Sequence, residues 1–136
     1  VKPIDHIRNN GNRLTKQRKI IYDALAYFSK PVTAQEINTY LKNKKQNVDL
    51  VSIYRTLSLF CQAAMICEIE FGDKQKRYEI SRKNNHHHHF VCDNCGSVED
   101  VAIDQEEKIL KKIIKKTNFQ VKRHSLEFFG LCQKCN

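Results

Sequence analysis

Two Cys-x-x-Cys pairs, Cys92/Cys95 and Cys132/Cys135, and a run of four histidines, His86 to His89, gather metal-binding chemistry in the last third of this 136-residue chain. Thiolate and imidazole are the ligands that borderline and soft divalent ions prefer, zinc above all. A two-residue gap lets both sulfurs of one tight turn face the same ion. Two such turns predict a closed, tetrahedral S4 site for structural Zn2+. Disulfides are the competing use of these thiols. Against them stand the high lysine content and the lack of a signal-peptide pattern, which point to a reducing cytoplasm. The histidine run follows a second rule. Residues two apart in an extended strand share a face, so His86/His88 and His87/His89 point to opposite sides and one run can feed two sites. A zinc hydrolase would need an open site with a placed base, such as His-Glu-x-x-His, and no such motif is present, so the chain reads as no enzyme.

The charge balance indicates a partner. Lys and Arg number 24 against 15 Asp and Glu, a formal charge of +9. An S4 zinc site adds four thiolate charges and one dication, bringing the folded form nearer +7. Such a chain suits a polyanion such as nucleic acid. No apolar run approaches the roughly 20 residues that span a bilayer, so no membrane partner is expected. Two Pro and four Gly leave most of the chain to regular structure.

The elements that must position these ligands are legible in the apolar spacing. Thr15 caps a first long helix whose Ile20, Ile21, Ala24, Leu25 and Phe28 recur at helical spacing, with Pro31 ending it. Thr33-Ala34-Gln35-Glu36 is a capping box opening a second helix to about Asn43. Asp49 caps a third, reaching about Ala63. There Leu50, Ile53, Leu57 and Phe60 form the inward stripe, and Val51, Tyr54, Arg55 and Ser58 lie on the other side. A face with an Arg, a Tyr and small residues near a helix N-terminus can enter a DNA major groove. Two β-prone runs, 65–71 and 76–80, flank Gly72-Asp73 as a hairpin with Lys74, Lys76 and Arg77 near its tip. Three helices and a basic hairpin make a winged helix, its hairpin placed to touch phosphates.

Residues 81–85 carry no apolar side chain and read as a hinge linker. Beyond it come strands at 87–91 and 97–101, an amphipathic helix over 104–116, and a long strand over 119–131 that ends at the second Cys pair. The expected fold is therefore α+β: a winged-helix DNA-binding domain over 1–80, and a small α/β dimerisation domain over 86–136 with a four-cysteine zinc site. About fifty residues is little for an independent core, so a metal staple or a second copy is needed. Apolar strand residues such as Phe128 and Leu131 favour a homodimer, whose two-fold symmetry matches a palindromic double-stranded operator.

The motifs Leu14-Thr15-Lys16-Gln17-Arg18, Ser52-Ile53-Tyr54-Arg55-Thr56-Leu57, His86 through Gly96, and His124 through Cys135 resemble the ferric uptake regulator family of bacterial metal-sensing repressors. The resemblance covers nearly the whole chain and leans to the zinc-uptake subgroup. It implies a metal-dependent transcriptional repressor of metal-ion homeostasis with up to three metal sites. Besides the S4 site, it implies a dimerisation-domain site of His86, His88, Glu107 and His124. It also implies a regulatory hinge site of His87 and His89, with ligands from hinge and wing. For that site Cys67 and Glu79 are the candidates, with Asp100 and Glu99 as further ones. Pro31 stands where iron-sensing members commonly have a histidine, and Cys67 where zinc-sensing members often have an aspartate. A thiolate there favours Zn2+, with Fe2+ or Mn2+ as alternatives for the second metal. The resemblance also implies DNA contacts by Arg13, Lys16 and Arg18 beside the first helix, and by Ser52 with Val51, Tyr54, Arg55 and Ser58 on the third.

Two other readings compete. An iron- or peroxide-responsive member of the same family would use iron to oxidise a ligand histidine. A zinc-storage or metallochaperone module would keep the ligands and never touch DNA; the order of helices and hairpin argues against it.

Overall fold

The computed structural model describes residues 13–81, 87–122 and 124–136. The chain divides into two compact units, Val1–Arg82 and Lys83–Asn136. The expected linker after Ser81, and with it His86, lies outside the described residues.

The first unit is three helices and a hairpin: α1 (Lys16–Tyr27), α2 (Ala34–Asn43), α3 (Leu50–Gln62), β1 (Ile66–Glu70) and β2 (Lys76–Ile80). Each helix begins where a side chain satisfies a first-turn amide. Thr15 Oγ1 accepts from Arg18 N, and Asp49 Oδ1 accepts from Ser52 N. The Thr33–Glu36 capping box is complete in both directions. Such caps are each worth about 0.5–2 kcal/mol. α1 stops at Tyr27, a turn before Pro31, because Phe28 turns extended and packs its ring on Tyr40. The core joins Ile21, Leu25, Ile37, Leu41, Ile53, Leu57, Phe60 and Tyr78. On α3, Thr56 is buried with the expected stripe, whereas Leu50 at its start is half-buried.

β1 and β2 pair antiparallel, with Cys67 opposite Glu79, and Val32 adds a bridge to Tyr78. Gly72 and Lys74 take positive φ, which closes the turn. The basic tip is partly neutralised. Arg77 donates twice to Asp73, at 3.0 and 2.7 Å, with its guanidinium over the Phe71 ring, and Lys76 pairs with Glu68. Lys74 is exposed at the turn.

The second unit is a three-stranded sheet in the order β4-β3-β5, with one helix: β3 (His88–Cys92), β4 (Val98–Val101), α4 (Glu106–Ile114) and β5 (Glu127–Gly130). β3 pairs antiparallel with β4 and parallel with β5. The long strand expected over 119–131 is realised only at its end. Phe119 and Val121 are exposed, and β5 meets β3 only from His89 to Cys92, so the earlier residues have no ladder to join. The helix is also shorter than its pattern. Gln105 adopts a left-handed φ of 64° and supplies no side-chain cap. α4 buries none of its residues, and Ile109 and Ile113 stay about half exposed at 50% and 55%. Among the described residues no helix is long and apolar enough to cross a membrane.

Candidate functional site

The four thiols converge. Cys92 ends β3, Cys95 follows in the turn, and Cys132 and Cys135 form the turn after β5. Their sulfurs all lie within 4.8 Å of one another. Backbone bonds shape both turns: Gly96 N to Cys92 O, Asp93 N to Gly130 O, and Cys135 N to Cys132 O. Cys95 Sγ and Cys132 Sγ are 3.7 Å apart. A disulfide would bring two sulfurs to about 2.05 Å. A tetrahedral ion with Zn–S bonds of about 2.3 Å holds its sulfurs about 3.8 Å apart, so the donor set fits zinc. The electrostatics divide the four thiols. Amide hydrogen bonds from Cys95 and Cys132 pull the Cys92 thiol down to about 6, whereas Cys135, despite a bond with Asn94, is carried up to about 11 by the neighbouring thiols, as expected of crowded sulfurs before a cation joins them.

The pleat of β3 splits the histidines as the spacing predicts. His88 Nε2 lies 2.6 Å from Glu106 Oε1, and His124 Nε2 lies 2.5 Å from the same oxygen. The His88 and Glu106 side chains are both mostly buried. The partner is Glu106 and not the expected Glu107. Glu107 is exposed and bound to Lys111 at 2.7 Å. A helix turns 100° per residue, and Glu106 lies four positions before Leu110 and eight before Ile114, the half-buried residues of α4, which puts it on their face. The donors of His88, Glu106 and His124 fall within 4.8 Å of one another. A tetrahedral ion with bonds of about 2.0–2.1 Å needs ligand atoms about 3.3 Å apart, so accepting one requires Glu106 to withdraw by roughly 0.7 Å.

On the opposite side, His89 of β3 and His87 just before the strand stand with ring centroids 5.0 Å apart, and each Nε2 is 3.9 Å from Asp100 Oδ1. His89 is 4% exposed. It pairs in register with Asp100 on β4 and with Glu127 on β5, so a row of carboxylate, imidazole and carboxylate crosses the sheet. In the first unit, Cys67 is exposed opposite Glu79, its sulfur 3.2 Å from Ser81 Oγ. Cys61 is half-buried against the core, and burial pushes its thiol up to about 11, the mark of a packing residue.

The outer face of α3 carries Val51 (57% exposed), Tyr54 (40% exposed), Arg55 and Ser58 in the open. The Ser52 hydroxyl donates to Asp49 Oδ2 at 2.8 Å, so its hydrogen serves the helix cap and its oxygen remains an acceptor. Lys16 and Arg13 are exposed beside α1, while Arg18 Nη1 donates to the Arg13 carbonyl at 2.5 Å and braces that segment.

A match to the ferric uptake regulator family spans residues 9–129. The chain belongs to that family. It is 33% identical to the peroxide-responsive repressor PerR of Staphylococcus saprophyticus over 97% of this chain and 88% of that one. It is 31% identical to the ferric uptake regulation protein of Campylobacter jejuni, over 96% and 83%. The solved ferric uptake regulator of Helicobacter pylori, a structure revealing three functional metal binding sites, superposes with a TM-score of 0.79 at 28% identity, covering 95% of this chain and 85% of that one. Family members are metal-responsive transcriptional repressors, so this one is a transcription regulator and not an enzyme.

Two carboxylates of this ferric uptake regulator family member escaped the sequence reading. Glu106 had a usable signal, its place on the apolar stripe of α4. Glu127 had none, because only the parallel register of β5 against β3 puts it beside His89.

Proposed function

We infer that the chain is a metal-dependent, sequence-specific DNA-binding repressor of metal-ion homeostasis. It acts in the cytoplasm as a homodimer on a palindromic operator, with Zn2+ as the structural ion and as the favoured sensed ion. One observation carries the reading: a single strand, β3, delivers imidazoles to two carboxylate clusters on opposite faces and ends in a closed four-sulfur site. A closed S4 site suits structure, whereas the imidazole–carboxylate clusters suit exchangeable metal. The exposed thiol of Cys67 supports zinc for the regulatory position.

In this reading Cys92, Cys95, Cys132 and Cys135 hold the second unit together. His88, Glu106 and His124 form a further site, to which His86 is adjacent in sequence. His87, His89 and Asp100 supply the second unit's share of the regulatory ligands, with Cys67 and Glu79 the first unit's share. Bound there, an ion supplies charge and fixed bond directions that join ligands otherwise independent. Residues 1–80 are the DNA-binding domain, 81–85 the hinge and 86–136 the dimerisation domain. Arg55 and Tyr54 read base edges, and Lys16, Arg13 and Lys74 grip phosphate. Exposed Phe129, Leu131, Ile109 and Ile113 offer apolar surface for the second copy. Metal and operator affinity are then linked reciprocally, typically by about 1–3 kcal/mol.

The deciding experiment is operator binding by protein that keeps its S4 zinc, titrated with buffered zinc, iron(II), manganese and nickel. His89→Ala is expected to abolish metal-dependent binding with the fold intact. Equal affinity of loaded and regulatory-metal-free protein for the operator would refute the reading. The Staphylococcus relative favours a second one, an iron-loaded peroxide sensor. It predicts a +16 Da histidine after peroxide treatment.

A further inference from the structure

The outer face of α3 is held from behind by a residue that no motif singled out as a contact. Gln35, in the first turn of α2, donates its Nε2 hydrogen to the Tyr54 hydroxyl oxygen at 3.0 Å. Both ends are anchored on capped helices, α2 by the Thr33–Glu36 box and α3 by Asp49. A phenol has one hydrogen to give and a lone pair to receive with. When the amide of Gln35 fills the lone pair, the phenolic hydrogen is left for another partner. Tyr54 is 40% exposed on the same face as Val51, Arg55 and Ser58, so that partner can come from outside.

We propose that Gln35 is a positioning residue for DNA recognition: it fixes the Tyr54 ring and commits its hydroxyl to act as a donor toward DNA. The consequence is chemical selectivity. In the major groove a donor suits guanine O6 or N7, adenine N7 or thymine O4, and it is mismatched with the amino group of cytosine N4. Gln35 itself need not touch DNA. The inference rests on the assignment of α3 as the element that meets the duplex.

The test uses the full chain loaded with zinc and a pool of randomised duplexes. Wild type, Tyr54→Phe, Gln35→Met, the double variant, Gln35→Glu and Arg55→Ala are each selected on the pool, and each is then measured on the duplex that wild type prefers. Tyr54→Phe is expected to weaken that binding by about 3–10-fold, the worth of one hydrogen bond, and to lose base preference at one position per half-site. Gln35→Met should reproduce part of both losses with an unchanged melting temperature. In the double variant the Gln35 change should add nothing to Tyr54→Phe, as befits a residue acting through its neighbour. Gln35→Glu should reverse the polarity, because a carboxylate takes the phenolic hydrogen; preference at that position then moves toward a base offering an amino group. Additive losses in the double variant, or a Gln35→Glu protein with the wild-type preference, would overturn the proposal. So would a Tyr54→Phe protein that binds normally while Arg55→Ala binds poorly, which leaves α3 as the reading helix. If neither Tyr54 nor Arg55 matters on any duplex, α3 itself is misassigned.

Discussion

Replacing Cys92 with Ala should unfold the second unit and spare the first. The two units differ sharply in what holds them. The first has a continuous core from Ile21 to Tyr78. Among the described residues of the second, only His88, His89 and Cys92 are buried. Ordering a residue costs about 1–2 kcal/mol of backbone entropy, and burial this slight cannot hold the sheet alone. A structural zinc site contributes about 10–16 kcal/mol of apparent folding free energy in small metal domains. Shared over four thiolates, one ligand stands for roughly 2.5–4 kcal/mol, or about a hundred- to a thousandfold in zinc affinity. Cys92 should lie at the upper end, since its sulfur also accepts the Cys132 amide at 3.3 Å, a bond that ties the two Cys turns together.

The assay is a chelator titration followed by bound-zinc mass spectrometry and by amide exchange resolved along the chain. Wild type should show two separate losses of protection: residues 87–136 when zinc leaves, and residues 13–81 only on heating or in denaturant. Cys92→Ala should begin with the second unit already unprotected and the first unchanged. A Cys92→Ala protein that keeps exchange protection through β3 and β5 in metal-free buffer would refute the argument, and with it the claim that sulfur ligation replaces a core here.

Other expectations follow from single side chains. Glu106→Gln should weaken a second metal equivalent by about 10–100-fold in a competition assay, and Glu107→Gln should leave it unchanged; the reverse result would restore the assignment made from sequence. Arg55→Ala should cost about 1–3 kcal/mol on the preferred operator and relax specificity, while Lys74→Ala should weaken all duplexes alike and lower the salt slope by about one. The Asp49 carboxyl lies below its usual range because the Ser52 amide and then the Ser52 hydroxyl donate to it. A depressed carboxylate stabilises the fold above its unfolded value, near about 3.9, and that help fades as pH falls through its native value. Asp49→Asn should therefore flatten the acid limb of the first unit's melting curve, and an unchanged limb would show that the cap carries no such linkage.

The first unit was legible because its signals are local. Caps at Thr15, Thr33 and Asp49 precede apolar residues at helical spacing, and Gly72 marks the turn. The four-cysteine cluster was legible because a two-residue gap is itself geometry. What the sequence concealed was register. Whether Glu106 or Glu107 faces inward depends on where α4 begins, and a left-handed Gln105 sets that start. Glu127 beside His89 depends on a parallel pairing across a long connection, which no local pattern encodes. Partners on the wing were hidden for a related reason: Arg77 and Lys76 look free in sequence, and the turn and the strand pairing bring Asp73 and Glu68 to them.

Register also orders the metals. The Cys turns clamp the end of β3 to the end of β5, with Asp93 N bonded to Gly130 O at 2.7 Å just beyond the paired residues. That clamp fixes the pleat, and the pleat decides that His88 faces Glu106 while His89 faces Asp100. A slip of one residue would exchange the two faces and break both clusters. The four sulfurs must therefore be satisfied before either imidazole cluster can bind, whereas emptying an imidazole cluster leaves the clamp untouched. Zinc added stepwise to fully stripped protein should fill the four-cysteine site first, seen by cobalt substitution as the intense sulfur-to-metal charge transfer of four thiolates, and only then populate the imidazole sites, where Cys67 adds a single thiolate. Cys132→Ala should then lose all regulatory metal, and His89→Ala should lose none of the thiolate-bound ion. Imidazole sites filling in the Cys132→Ala protein would mean that β3 holds its register unaided, and the proposed hierarchy would be wrong.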